Sequence, residues 1–196
     1  MAVPTGALVA FTPEGIRLPD GDYLKTDVVP SFMLNGDIIG TAEKMAGIPY
    51  LWGGRSDLGI DCSGFVQLLF SLFGFAMPRD SGQQFALAKP FITDLKDINR
   101  AERGDLVFFS NSERRIVHVG LYVTDGCIIH AGPNVRTNCF APAWAEKVMF
   151  PFDENLAKKF HGVISITDLI LSHRPMLGYQ GSILYERSPQ IVKSDA

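Results

Sequence analysis

Residues 59–70 read GIDCSGFVQLLF, so Asp61, Cys62, Ser63 and Gly64 stand directly in front of an apolar run. A free cysteine is ordinarily a small buried hydrophobe. Cys62 differs because it follows Asp61 at the mouth of a predicted helix. There, unpaired backbone N–H groups and the positive end of the helix dipole stabilise a thiolate and lower its pKa. A nucleophilic thiolate needs a base within hydrogen-bond reach and a third group that orients the base. Of the four histidines, His118 opens the apolar strand pattern IVHVGLYV and His130 ends the pattern CIIHAG. One histidine in an apolar strand is usually structural, whereas two on paired strands could work together. His161 and His173 have no such pattern around them and read as surface or cap residues.

The elements that must position these groups are an early helix, a buried helix and a run of strands. DIIGTAEKMA, residues 37–46, carries apolar residues at helical spacing behind an Asp37 cap, with Gly47 as its stop. From Ser63 to Phe73 the chain is apolar nearly all round, with Gly74 at the C′ position, which predicts a helix buried inside the domain. MPRDSGQQFALA predicts a turn and a short helix, and Val107 to Phe109 a buried strand. IVHVGLYV and CIIHA, split by TDG, predict an antiparallel hairpin. HGVISITDLI reads as a further strand or a helix, and residues 1 to about 40 as at most a hairpin or two. The segregated order of helices and strands predicts an α+β fold.

With 196 residues, 46% of them hydrophobic, the chain can bury a substantial core as one domain with small appendages. No apolar stretch approaches the roughly 18–20 residues needed to span a bilayer. A net charge of −3 and a pI near 5.8 leave no basic footprint for nucleic acid. The opening MAVPTGALVAF has no basic residue before Arg17 and does not read as a secretory signal, so the expected location is cytoplasmic, with a periplasmic or secreted one as the alternative if the sequence has been trimmed. Three cysteines, Cys62, Cys127 and Cys139, are an odd number in a chain that can bury its own core, and free thiols are expected.

YLWGGRSDLGIDCSGFVQ, PRDSGQQ, RGDLVFF, HVGLYV and IIHAG, in this order over roughly residues 37 to 140, resemble the NlpC-type cysteine peptidases of bacterial cell-wall metabolism. The resemblance implies a papain-like core, with a nucleophile-bearing buried helix packed on an antiparallel sheet. It further implies Cys62 as nucleophile, His118 as base, His130 as the orienting residue, and no cofactor. Among such enzymes the sequence is most similar to γ-D-glutamyl-L-diamino acid endopeptidases, which cut peptidoglycan stem peptides beginning with a free L-Ala. By the same resemblance Asp80 and Ser81 would bind the L-Ala amine, and Tyr50, Trp52, Arg55, Asp61 and Ser63 would contribute to the substrate site. Each has a plainer reading: Asp80 as a helix N-cap, Ser81 as a turn residue, Tyr50 and Trp52 as core aromatics, Arg55 as a loop brace, Asp61 as a cap and Ser63 as either.

The expected organisation is an N-terminal extension over residues 1–36, a peptidase domain over 37–173 and a tail over 174–196. The extension is too short for the whole barrel domain that walls the groove in many relatives. It reads as a shrunken remnant, with a partner subunit, including a second copy of the chain, as the alternative way to complete the pocket. Three rival readings stand beside the peptidase. One is a metal site of Cys127, His130 and Cys139, which strand alternation disfavours because residues three apart face opposite ways. The second is a papain-like acyltransferase or lipid amidase, which would want an exposed apolar patch near the cleft. The third is an inactive binder of cell-wall fragments.

The TDG loop decides whether the two histidines can meet. A two-residue Asp125-Gly126 turn pairs Thr124 with Cys127 and puts His118 and His130 on opposite faces unless a bulge follows. A three-residue loop pairs Val123 with Cys127, sets Gly120 opposite His130 and makes the histidines diagonal neighbours on one face. The expectation is the three-residue loop, with Cys127 turned to the other side.

Overall fold

The computed structural model describes residues 10–12, 15–17, 23–24, 37–73, 75–89, 98–141 and 150–167. Near the N-terminus β1 (Ala10–Thr12), β2 (Gly15–Arg17) and β3 (Tyr23–Leu24) pair antiparallel into a small sheet of three strands. The helices that follow are α1 (Ile38–Glu43), α2 (Cys62–Leu72) and α3 (Ser81–Ala88), with a short hairpin of β4 (Arg55–Ser56) and β5 (Gly59–Ile60) ahead of α2. A second sheet contains β6 (Leu106–Ser110), β7 (Ile116–Thr124), β8 (Cys127–Ala131), β9 (Val135–Cys139) and β10 (Phe160–Ile164). Its strand order is β10-β6-β7-β8-β9, antiparallel throughout, and α4 (Glu154–Lys159) leads into β10. This is the α+β arrangement expected. Gly74 and residues 168–196, including His173 and the proposed tail, lie outside the described residues.

Periodicity explains which faces are covered. α2 is apolar around nearly its whole circumference, and Phe65, Val66, Leu69 and Phe70 are buried. Each contributes roughly 1.5–3 kcal/mol of hydrophobic burial. The helix lies on the sheet face formed by Leu106, Phe108, Val119, Leu121 and Ile129. Alternation sends Val107, Phe109, Tyr122 and Ile128 to the opposite face, where Phe140 and Leu156 cover them.

The hairpin differs from the expectation at its tip. Asp125 and Gly126 both have positive φ, 46° and 70°, as a two-residue type I′ turn requires, and Thr124 pairs with Cys127. The register then shifts between Tyr122 and Thr124, so Val123 is the extra residue of a bulge. Beyond it Tyr122 pairs with Ile128 and Leu121 with Ile129, which sets Gly120 against His130. A second shift, against β6, makes Val117 the extra residue just before His118.

The free-thiol expectation is also corrected. Cys127 and Cys139 are directly opposite on β8 and β9 and form a disulfide, leaving Cys62 as the free cysteine among the described residues. Counting cysteines missed the bond because it depends on β9, whose register against β8 comes from tertiary pairing. With both thiols bonded to each other and His130 on the opposite face, these three residues do not form a ligand set.

Candidate active site

Asp61 builds the start of α2. Its Oδ1 accepts the Gly64 N–H at 2.7 Å, which caps the helix, and its Oδ2 accepts the Gly53 N–H at 2.9 Å. Arg79 completes a two-point ion pair, with Nη2 to Oδ2 at 2.5 Å and Nη1 to Oδ1 at 3.0 Å. Burial alone would raise the Asp61 pKa, but Arg79 and the Gly64 N–H outweigh it and hold the carboxyl below its ordinary value. Gly64 must be glycine because a Cβ there would collide with the Gly54 carbonyl oxygen. This close approach seats the preceding loop on the helix.

Cys62 is the first residue of α2, and its side chain is nearly buried. The backbone N–H groups of Val119, Ser63 and Cys62 itself lie near enough to the thiol to favour its charged form, and Val119 immediately follows His118. They lower the thiol pKa, but burial is the larger effect and the Asp61 charge adds to it, so the pKa is raised overall. The expected depression at a helix start is therefore overridden by desolvation.

His118 and His130 face the same side of the sheet, with His118 Nε2 2.7 Å from His130 Nδ1 and the rings perpendicular. Gly120 makes the approach possible, since a Cβ there would stand 3.0 Å from the His130 Cβ. His130 Nε2 in turn lies 3.1 Å from Asn138 Oδ1. Burial, followed by the neighbouring His130 charge, pushes the His118 pKa down to about 3, and burial also lowers that of His130. Burial thus favours the neutral form of both rings. Among the described residues His118 has no hydrogen bond to Cys62.

The remaining sequence candidates divide between frame and rim. Ser63 is buried, donating to Asp61 Oδ1 at 3.3 Å and accepting from Arg79 at 3.0 Å. Asp61 and Ser63 thus brace the start of α2, with their side-chain oxygens engaged in hydrogen bonds within the protein. Tyr50 lies close enough to Cys62 and Asp61 for their charges to add to burial in raising its phenol pKa. It is 36% exposed, and Trp52 is 84% exposed, so neither is the core aromatic that the plainer reading offered. Arg55 is exposed on β4, with its stem against Gly64. Asp80 and Gln83 form a capping box on α3, with Asp80 exposed and Ser81 half-buried as the first helical residue. Arg79 links this edge to the thiol, within electrostatic reach of Asp61, Asp80 and Cys62.

Sequence reasoning missed three participants. Arg79 stands 18 residues from Asp61, and no local pattern announces their pairing. Gln84, fully buried, ties α3 to α2 by donating to the Ser63 and Pro78 carbonyls. Asn138 lies on β9, which the alternation of Val135, Thr137 and Cys139 after a Pro-Asn turn could have indicated.

A family model described as NlpC/P60 family matches residues 47–151. The chain is 42% identical over 113 residues to a γ-D-glutamyl-L-lysine dipeptidyl-peptidase of Bacillus subtilis (strain 168), covering 55% of this chain and 36% of that protein. To a protein of the same name from Bacillus cereus (strain ATCC 10987 / NRS 248) it is 32% identical over 118 residues, covering 59% and 34%. The chain thus spans about a third of the length of these curated relatives. The crystal structure of an NlpC/P60 family protein from Bacillus cereus ATCC 10987 superposes with a TM-score of 0.51 at 28% identity, covering 73% of this chain and 43% of that one. The shared architecture is papain-like, with the cysteine-headed helix against the antiparallel sheet.

Proposed function

Because the chain belongs to the NlpC/P60 family, we propose that it is a cysteine peptidase that hydrolyses the γ-D-glutamyl–diamino acid bond of peptidoglycan stem peptides. The observation that carries this reading is Cys62 at the start of α2, close to Val119, the residue that follows His118 of the hydrogen-bonded His118–His130 pair. The names of the two curated relatives support the substrate class.

The neutral pair fits a concerted first step. His118 takes the Cys62 proton as the sulfur attacks the γ-D-glutamyl carbonyl, so no preformed thiolate is required. Backbone N–H groups at the start of α2 steady the developing oxyanion. His118 then protonates the leaving amine, and water releases the acyl group. His130 orients His118, while Tyr50, Asp80 and Ser81 form the rim that receives the free L-Ala end. The disulfide favours an oxidising compartment over the cytoplasm that the sequence suggested.

Mass spectrometry of L-Ala-γ-D-Glu-L-Lys and L-Ala-γ-D-Glu-diaminopimelate peptides tests the reading. Release of L-Ala-D-Glu by the native chain, and none by Cys62→Ala, is the expected result. An intact peptide after prolonged incubation, or cleavage that persists without Cys62, overturns it. One observation favours a second reading, transfer of an acyl chain to the same thiol: Leu51, Trp52 and Leu58 are 56%, 84% and 74% exposed on the loop leading to Cys62. Acylation of Cys62 by an activated fatty-acyl thioester, with stem peptides left uncut, would select that alternative.

A further inference from the structure

We infer that Asn138 is a positioning residue that fixes which nitrogens of the His118–His130 pair carry protons. The inference rests on the peptidase reading for its catalytic consequence, but not for its geometry. In the register of β8 and β9, Ile128 is opposite Asn138 and His130 opposite Arg136, so Asn138 shares the face of His130. Both Asn138 and His130 are almost wholly buried, and water does not supply the alternative partners.

The chain of donors begins at Pro151. Its carbonyl oxygen, 3.1 Å from one end of the Asn138 amide, can only accept, so the amide nitrogen faces it. The amide oxygen must then face His130 Nε2 at 3.1 Å, which requires that nitrogen to carry a hydrogen. In a neutral ring the other nitrogen, Nδ1, is a bare acceptor. The 2.7 Å contact is therefore made by a hydrogen on His118 Nε2. His118 Nδ1 is left unprotonated, and it is the nitrogen available to take a proton from Cys62. Each tautomer follows from the one before, back to a backbone carbonyl.

The surroundings hold that carbonyl still. Pro151 also accepts the Cys139 N–H at 2.9 Å, and the Asp153 N–H donates to the Cys139 carbonyl at 2.8 Å, stitching this loop to β9. Cys139, the residue after Asn138, is bonded to Cys127. The charged groups that bear on the rings are Lys159 for His118, and Arg136 and Asp153 for His130. An aspartate at 138 would keep the acceptor toward His130 but set a carboxylate against Pro151 and favour imidazolium.

Long-range ¹H–¹⁵N correlation spectra of histidine-labelled protein at pH 7.5 read the tautomers directly and need no substrate. The expected result is the Nε2–H form for both rings in the native chain, and a mixed or inverted His130 in Asn138→Ala, whose backbone amide spectrum otherwise stays dispersed. Asn138→Asp should retain Nε2–H on His130 but raise the pH at which the pair protonates by at least about one unit. On a cleaved stem peptide, Asn138→Ala should lower kcat about tenfold or more with KM within about twofold, the scale of losing an outer hydrogen bond to a working histidine. A native His130 in the Nδ1–H form, or ring tautomers unchanged in Asn138→Ala, overturns the inference. Failure of the native chain to cleave any stem peptide would instead count against the proposed function, and the spectra would still decide the role of Asn138.

Discussion

Replacing Asp61 by alanine tests whether the start of α2 is held by one buried carboxylate. The loss of the Gly64 cap costs about 1 kcal/mol. Stripping the partner from Arg79 belongs to the class of broken buried ion pairs, roughly 3–5 kcal/mol. The lower end applies, because Arg79 keeps 27% of its side-chain surface in water while that of Asp61 keeps 9%. The expected cost is therefore about 4 kcal/mol, or a fall in Tm of about 8–16 °C for a chain of this size. Urea unfolding of the native chain, Asp61→Ala, Arg79→Met and the double variant gives the cycle. Arg79→Met should cost less, since Asp61 still accepts the Gly53 and Gly64 N–H groups, and the coupling should exceed about 1 kcal/mol. The acid limb supplies an independent check. The Asp61 pKa is lowered in the folded state, so its stabilisation is present above the unfolded value near 4 and is lost as pH falls further. The double variant should unfold with a flatter dependence there. A cost below about 1 kcal/mol for Asp61→Ala, or a coupling indistinguishable from zero, would refute the bracing role.

Three further outcomes are expected. Cys127→Ser with Cys139→Ser should lower stability by about 2–3 kcal/mol in thermal melts, the entropy of a loop with a sequence separation of 12; an unchanged Tm would mean that the bridge does not form in solution. Gly120→Ala should cost roughly 1–3 kcal/mol and drive the imidazoles apart, because the new methyl meets the His130 Cβ, Ile128 Cδ1 and the Ile129 carbonyl at 2.9–3.0 Å; loss of the His118–His130 coupling in ¹⁵N spectra checks it. A ring held neutral with its pKa at about 3 stabilises the fold above the unfolded value near 6.5, and that stability drains away as pH falls toward 3, by at most about 5 kcal/mol. His118→Gln should therefore unfold less steeply than the native chain between pH 6.5 and 3, and identical acid curves would show that the histidine is not buried neutral.

What the sequence disclosed, and what it withheld, follow from the range of the forces involved. α2 was legible because its signals are local: an acidic residue at its mouth and an apolar run compatible only with burial. The hairpin was legible in its strands but not in its turn. TDG accommodates both loops, and local chemistry favoured the two-residue type I′ turn that formed. The histidines still reach one face because Val123 bulges, and that bulge is imposed from outside the loop. Two neighbours constrain β7: Phe109 of β6 pairs with His118, and Ile129 of β8 pairs with Leu121. With both pairings satisfied and the turn fixed at two residues, one residue of β7 must be left over. The extra residue buries its side chain on the α2 face, at little cost for a valine. Arg79, Asn138 and the disulfide share this character, each being defined by a partner on another element. The same logic explains the thiol. Sequence pointed to the dipole and the N–H groups at a helix start, which the structure supplies, but the apolar packing that raises the Cys62 pKa belongs to the assembled sheet. On the proposed peptidase reading, a buried thiol and a buried imidazole would defer charge separation until a substrate carbonyl is there to receive it.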